Sequence, residues 1–190
     1  MRLFAQKYPD EICGLILLDS TPEEIFEKLP TEYIKKTNSE AKMLRIASYL
    51  APFGLTRIMK MPIGRTNLTP EEQKISNQLG YLTKSYETAY REIASIRKSM
   101  KQVKETMNLP YSFPVYIVCR DTFYQNGLGR EKEEEVQCAW AELQQDLMKL
   151  SDESLYVIAK DSRHFIQLDR PDLVMNLAKE LLETIKEKKS

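Results

Sequence analysis

The chain of 190 residues contains a single histidine, His164. An apolar run typical of a β-strand begins at Leu155 and leads into the polar turn that carries this imidazole; a helix is predicted to follow, with Pro171 in its first turn. A neutral imidazole can take a proton from a nucleophile, and a carboxylate on its other ring nitrogen fixes the tautomer. His164 is therefore a candidate general base.

Two further apolar runs end in carboxylates. Residues 14–18 lead to Asp19 and residues 114–119 lead to Asp121. The first run shows no polar alternation, which fits a strand buried on both faces. Between the second and third runs, apolar side chains at spacings of three and four predict one buried helical face: Val136, Trp140, Leu143, Leu147 and Leu150. Strand, helix and strand predict parallel pairing, so Asp19, Asp121 and His164 should share one edge of the sheet.

These elements predict an α/β protein with about three parallel strands and a large helical insertion. The frame is residues 1–20 and 109–190, and the insertion is residues 21–108. Within the insertion the same helix-start signal, Thr-Pro-Glu-Glu, occurs at residues 21–24 and 69–72. Proline and glycine predict breaks near residues 30, 52–54 and 62–64.

From Ile75 to Met107 apolar or small residues recur in alternating steps of four and three. This heptad spacing favours one long helix, or two in line, packed against neighbouring helices. The alternative is a coiled-coil surface for a partner. Gly80 and Ala89 within the seam favour packing over the partner surface.

Composition limits the possible partners. The 28 basic and 28 acidic residues cancel, so no overall field attracts nucleic acid or an anionic membrane. No apolar run reaches the length of a membrane span, and charge and proline interrupt the first eleven residues before a secretory signal could form. A cytoplasmic protein is expected. Cys13, Cys119 and Cys138 are predicted to be reduced core residues, and no cofactor or metal site is expected.

The order of these segments resembles the C-terminal portion of an α/β-hydrolase. Residues 2–20 are similar to the rest of the elbow helix, a Tyr-Pro-Asp turn and the sixth strand; residues 113–118 are similar to the seventh strand. Residues 155–174 are similar to the eighth strand, the histidine loop and the closing helix. The resemblance implies that the insertion is a helical lid. One departure is Arg163, which stands where the family usually has glycine.

The resemblance implies nucleophilic Ser-His-Asp hydrolysis of an ester, an amide or a similar small apolar substrate. His164 would be the base and Asp19 or Asp121 the acid. Asp19 is favoured, because the acid follows the sixth strand in some haloalkane dehalogenases, while Asp121 comes about two residues earlier than the usual acid of the seventh strand. The sequence has no Gly-x-Ser-x-Gly elbow and no oxyanion-hole loop.

The chain alone is therefore expected to be inactive. It would need a missing N-terminal half, or it would associate with itself through its exposed sheet edge. The alternative is a non-catalytic interaction or assembly module that uses the helical seam.

Overall fold

The computed structural model describes residues 1–63, 68–106, 110–121 and 128–188. The chain divides into two compact units. One comprises Met1–Pro30 with Ser99–Ser190, and the other is Thr31–Lys98. The strands are β1 (Leu15–Leu18), β2 (Val115–Arg120) and β3 (Ser154–Ala159). The helices are α1 (Arg2–Lys7), α2 (Ile25–Lys28), α3 (Thr31–Leu50), α4 (Leu55–Ile58), α5 (Pro70–Gly80), α6 (Thr83–Thr106), α7 (Arg130–Asp146), α8 (Ile166–Asp169) and α9 (Pro171–Glu187). Short 3-10 helices span Pro9–Glu11, Ala51–Phe53 and Leu147–Leu150.

The first unit is built on a parallel sheet in the order β1-β2-β3. Leu15 pairs with Val115, and Val115 pairs with Ser154, so the C-terminal ends of all three strands lie at one edge. The predicted α/β class with about three parallel strands is confirmed. The predicted division at residues 21 and 108, and the role of the insertion as a lid, stay predictions.

Apolar side chains cover both faces of the sheet. On one face Leu15, Leu17, Val115 and Ile117 pack with residues that include Ala5 of α1 and the two leucines of the Leu147–Leu150 turn. On the other face Tyr116, Val118 and Ala159 pack with Ile166 of α8 and with Leu177 and Leu181 of α9. Strand β2 lies in the middle and is buried along nearly its whole length, as an apolar run without alternation predicts.

Strand β1 lies at the side of the described sheet, and its burial alternates. Leu15 and Leu17 are buried, whereas Ile16 and Leu18 are half-buried, so burial on both faces is incomplete. A groove of about 450 Å³ in the same unit is lined by Ile16, Leu17 and Leu18 together with side chains such as Met100 and Val103. The outer edge of β1 is therefore apolar and open.

The two Thr-Pro-Glu-Glu signals have different outcomes. At residues 69–72 the predicted capping box forms: the Thr69 hydroxyl accepts from the amide of Glu72, whose carboxylate accepts from the amide of Thr69. At residues 21–24 the predicted helix start is wrong, because α2 begins only at Ile25. Glu24, the counterpart of Glu72, lies 3.6 Å from Nζ of Lys28. The carboxylate of the neighbouring Glu23 accepts two hydrogen bonds from the guanidinium of Arg2, at 2.7 and 2.9 Å.

The predicted seam is split between α5 and α6. Tyr86 is buried and its hydroxyl donates to the carbonyl of Met61 at 2.6 Å, but Ile75, Leu79 and Leu82 are exposed. Helix α5 ends at Gly80. There the backbone of Ile63 approaches so closely that a β-carbon on Gly80 would lie 1.9 Å from the carbonyl oxygen of Ile63. Met107 lies outside the described residues.

The remaining sequence expectations concern cysteines and membranes. The three thiols are free, and Cys119 is buried as predicted. Cys13 and Cys138 are exposed, so the prediction of core positions is wrong for these two. Among the described residues no helix is both long enough and apolar enough to cross a bilayer.

Candidate functional site

Asp19 and His164 meet at the C-terminal edge of the sheet. Asp19 directly follows β1, and its amide donates to the carbonyl of Val118 in β2 at 2.7 Å. His164 lies in the loop between β3 and α8. The imidazole Nδ1 lies 2.7 Å from Asp19 Oδ2, which is hydrogen-bond distance. Two residues that are 145 positions apart therefore form a carboxylate–imidazole pair.

The carboxylate of Asp19 is almost completely buried, with 1% of its surface exposed. Its Oδ1 accepts a hydrogen bond from the indole Nε1 of Trp140 at 2.8 Å. The guanidinium of Arg120 lies 3.4 Å from Oδ2 and stacks 4.5 Å from the ring centroid of Trp140. Burying a carboxylate is costly unless it is hydrogen-bonded and paired, and these contacts meet both conditions.

Asp19 also has an unusual backbone, with φ of 42°. Aspartate and asparagine tolerate this left-handed region better than most residues. The turn at the end of β1 therefore limits which residue types can stand at position 19, in addition to the demands of the carboxylate contacts.

The imidazole of His164 is half exposed, with 53% of its side-chain surface accessible. An ionised carboxylate is only an acceptor, so Nδ1 must carry the proton that lies between it and Asp19. In the neutral ring this leaves Nε2 with a free lone pair. The arrangement can therefore accept a proton at Nε2, while Asp19 stabilises the imidazolium that results.

The loop that carries His164 is anchored at both ends. Ser162 is fully buried, and its carbonyl accepts from the amide of Asp121 at 3.2 Å. The amide of Arg163 donates to the carboxylate of Asp169 in α8 at 2.9 Å. Among the described residues Arg163 is not one of those with a left-handed backbone, so the glycine usual at this position in the family is not required by the backbone angles.

Asp121 lies at the same edge but makes different contacts. Its carboxylate Oδ2 accepts from the amide of Asp161 at 3.2 Å, and its carbonyl accepts from the side-chain amide of Gln137 at 3.2 Å. Within the described part of the chain the contact of His164 is with Asp19. Of the three residues predicted for the site, the structure joins Asp19 to His164 and places Asp121 where it braces the loop.

Arg120 and Trp140 were not predicted as site residues. Trp140 was expected only on the buried face of α7, where it does lie. The signal that could have identified it is the indole N–H: a buried tryptophan generally needs an acceptor, and a strand-end carboxylate is one. Arg120 ends the most apolar strand of the sheet, where a charged side chain requires a partner.

Two other ionisable groups near the sheet are held in their neutral forms. Burial raises the pKa of the Cys119 thiol, and burial together with the hydrogen bond to Cys119 raises the pKa of the Tyr156 hydroxyl. Neither group provides a thiolate or phenolate nucleophile at neutral pH. Within the described ranges no three side chains of the usual metal-binding types group together.

Parallel strands with helices on both faces and polar side chains at the C-terminal strand ends define an α/β fold. A crystal structure of a probable hydrolytic enzyme from Pseudomonas aeruginosa PAO1 has a similar fold, with a TM-score of 0.50 at 14% identity. The match covers 95% of this chain and 59% of that chain, so this chain spans well under two thirds of that protein. At this identity the likeness shows the fold alone. No protein-family model and no curated protein matches the sequence.

Proposed function

We propose that this chain supplies the general base and the acid of a nucleophilic hydrolase, with His164 as the base and Asp19 as the residue that orients it. The observation that carries the proposal is the 2.7 Å contact between His164 Nδ1 and the buried carboxylate of Asp19. It leaves Nε2 as the proton acceptor on the exposed part of the ring. In a Ser-His-Asp triad the histidine and the aspartate have these same two roles.

The contacts of Asp19 support its assignment over Asp121. An orienting carboxylate has to stay ionised and fixed in direction, and Asp19 is held by the indole of Trp140 and by the charge of Arg120. The carboxylate of Asp121 accepts instead from a backbone amide in the histidine loop. In the proposal Asp121 therefore holds the loop and does not contact the imidazole.

The nucleophile is proposed to come from polypeptide outside these 190 residues, as in the Gly-x-Ser-x-Gly elbow of the family that the sequence resembles. Two observations support this. The outer edge of β1 is an apolar edge with an adjoining groove of about 450 Å³, where a further parallel strand can pair. The similar hydrolytic enzyme is also considerably longer than this chain.

The reaction proposed is acyl transfer from an ester, an amide or a similar small apolar substrate, with residues 21–108 as the lid. The chain by itself would then lack both nucleophile and oxyanion donors. Purified chain should hydrolyse chromogenic acyl esters no faster than a His164→Ala control. Multiple turnover that depends on His164 would show that the chain contains a nucleophile and would contradict this part of the proposal.

The roles of base and acid are tested in a polypeptide that joins this chain to an N-terminal half carrying the nucleophile. His164→Ala should remove nearly all ester turnover. Asp19→Asn should reduce kcat by about 10⁴-fold, as expected when a triad carboxylate becomes an amide. Asp121→Asn is the matched control and should cost much less. Equal and slight losses at both aspartates would refute the acid assignment, and full activity without His164 would refute the base.

A non-catalytic assembly module is the second candidate. Three apolar residues of the helical seam favour it: Ile75, Leu79 and Leu82. They are exposed, although the heptad spacing predicts that the seam packs against other helices. Under this alternative the chain should self-associate, and Leu79→Ser with Leu82→Ser should dissociate the oligomer. Sedimentation velocity of wild type and of this double variant tests the alternative: an oligomer that the variant dissociates supports the assembly module.

A further inference from the structure

The second unit, Thr31–Lys98, which we call the helical unit, buries small side chains on α3 and α4 and exposes large apolar ones. In α3 the buried residues are the small side chains of Ala41, Ala47 and Ser48. In α4 the buried residue is Thr56. Large apolar side chains in the same region are exposed instead: Met43, Ile46, Tyr49, Phe53, Leu55, Ile58 and Met59. We call these seven residues the apolar surface of the helical unit.

The residues of this surface follow one another along the chain in a defined geometry. Met43, Ile46 and Tyr49 recur every three positions and lie on one side of α3. The Ala51–Phe53 turn follows, and Gly54, with φ of 73°, turns the chain into α4. Phe53 and Ile58 flank this turn with 79% and 76% of their surfaces exposed, so the most accessible side chains of this surface lie beside the turn.

The charge around this surface is mainly positive. Residues 41–70 contain five basic residues and no aspartate or glutamate, although the chain as a whole is neutral. The nearest carboxylate in the sequence, Glu40, borders Met43 and is paired with Lys36 at 3.9 Å. The guanidinium groups of Arg45 and Arg57 lie over the rings of Tyr90 and Tyr81, at 5.5 and 5.8 Å. Within the described ranges, these two arginines and Lys42 and Lys60 form no ion pair with a carboxylate. Their positive charge is therefore not neutralised locally.

Exposed apolar side chains with an excess of cations around them fit an anionic, partly apolar partner best. The rim of a protein interface is polar, whereas the surface of an anionic bilayer combines negative head groups with an apolar interior. Short helical segments with bulky apolar side chains and lysine or arginine bind there, with the apolar groups inserted just below the head groups. We propose that the apolar surface of the helical unit docks onto a lipid bilayer that contains anionic lipid. This proposal does not depend on the hydrolase assignment.

Flotation with vesicles tests the proposal on the full chain, since protein aggregates do not float. Wild-type protein should float with phosphatidylcholine vesicles that contain phosphatidylserine, much less with phosphatidylcholine alone, and less as salt is raised. Phe53→Ser with Ile58→Ser should weaken binding at least about tenfold, because two largely exposed apolar groups no longer insert. Lys42→Glu with Lys60→Glu should weaken it about tenfold by replacing attraction with repulsion.

Two matched controls make the same types of substitution at exposed positions outside the apolar surface of the helical unit. Met175→Ser with Leu182→Ser deletes two exposed apolar side chains of α9, and Lys84→Glu with Lys98→Glu reverses two exposed charges of α6. Both control pairs should float like wild type. The proposal is overturned if wild type does not float with anionic vesicles, or if the controls lose as much binding as the test variants. It is also overturned if the Phe53 and Ile58 pair dissolves a lipid-free oligomer without affecting flotation, which would assign the surface to a protein partner.

Discussion

Replacing Trp140 by phenylalanine tests whether the indole stabilises the buried carboxylate of the site. The substitution keeps an aromatic ring in the core but removes the N–H that donates to Asp19 Oδ1 at 2.8 Å. A hydrogen bond to a charged group contributes about 1.5–3 kcal/mol, and the smaller ring leaves unfilled space worth about 1 kcal/mol more. The free energy of unfolding should therefore fall by about 3 kcal/mol.

A double-mutant cycle with Asp19→Asn separates the hydrogen bond from the lost packing. Asparagine is chosen because it tolerates the φ of 42° at this position. It keeps one acceptor oxygen but removes the charge, so Trp140→Phe should cost about 1 kcal/mol less in the Asp19→Asn background. Urea unfolding followed by far-ultraviolet circular dichroism is the appropriate assay, since Trp140 is the only tryptophan. A coupling energy indistinguishable from zero would refute the account of how Asp19 is held.

Three further experiments test contacts of Gly80, Glu23 and Cys119. Gly80→Ala should destabilise the protein by about 2 kcal/mol, because the new β-carbon would lie 1.9 Å from the carbonyl oxygen of Ile63. Helix propensity alone predicts the opposite, a gain in stability of about 1 kcal/mol. Thermal unfolding of the two proteins shows which sign is correct. Burial opposes ionisation of Glu23, but the hydrogen bonds and charge of Arg2 outweigh it and lower the pKa of Glu23. The stability from this pair is thus present above the ordinary glutamate pKa and lost as pH falls through the lowered value. The free energy of unfolding of wild type should exceed that of Glu23→Gln by about 1–2 kcal/mol at pH 7, and the difference should vanish in acid. A difference that stays constant in unfolding curves at several pH values would contradict this. Iodoacetamide should modify the two exposed cysteines of the native protein and leave Cys119 unmodified until the chain unfolds, because burial raises the pKa of that thiol; mass spectrometry of native and unfolded samples measures this.

The sheet could be predicted from the sequence because its strands are continuous apolar runs that end in polar residues. Their parallel pairing follows from the helix between the second and third runs, and parallel pairing puts Asp19, Asp121 and His164 at one edge of the sheet. The sequence favoured Asp19 over Asp121 only through the resemblance, since both aspartates end neighbouring strands. The path of the histidine loop and the position of Trp140 on α7 produce the contact with Asp19, and both are tertiary features.

The errors have the same origin. The signals at residues 21–24 and 69–72 are identical in sequence, but Glu24, the counterpart of the capping Glu72, precedes α2 and lies 3.6 Å from Nζ of Lys28. Cys13 and Cys138 have apolar neighbours in the chain yet lie on the surface. Local patterns describe what a segment can form, while contacts between distant segments select among the possibilities.

The tautomer of His164 tests the central claim most directly. The chain has one histidine, so a ¹⁵N spectrum of the imidazole contains one pair of ring nitrogens and needs no assignment between residues. At a pH where the ring is neutral, wild type should carry its proton on Nδ1, facing Asp19, with Nε2 unprotonated. In Asp19→Asn, the amide oxygen can accept from Trp140 and the amide nitrogen then faces His164, which should move the proton to Nε2; Asp121→Asn should leave the spectrum unchanged. A wild-type ring protonated on Nε2, or a tautomer that changes with Asp121 and not with Asp19, would contradict the proposed acid–base pair.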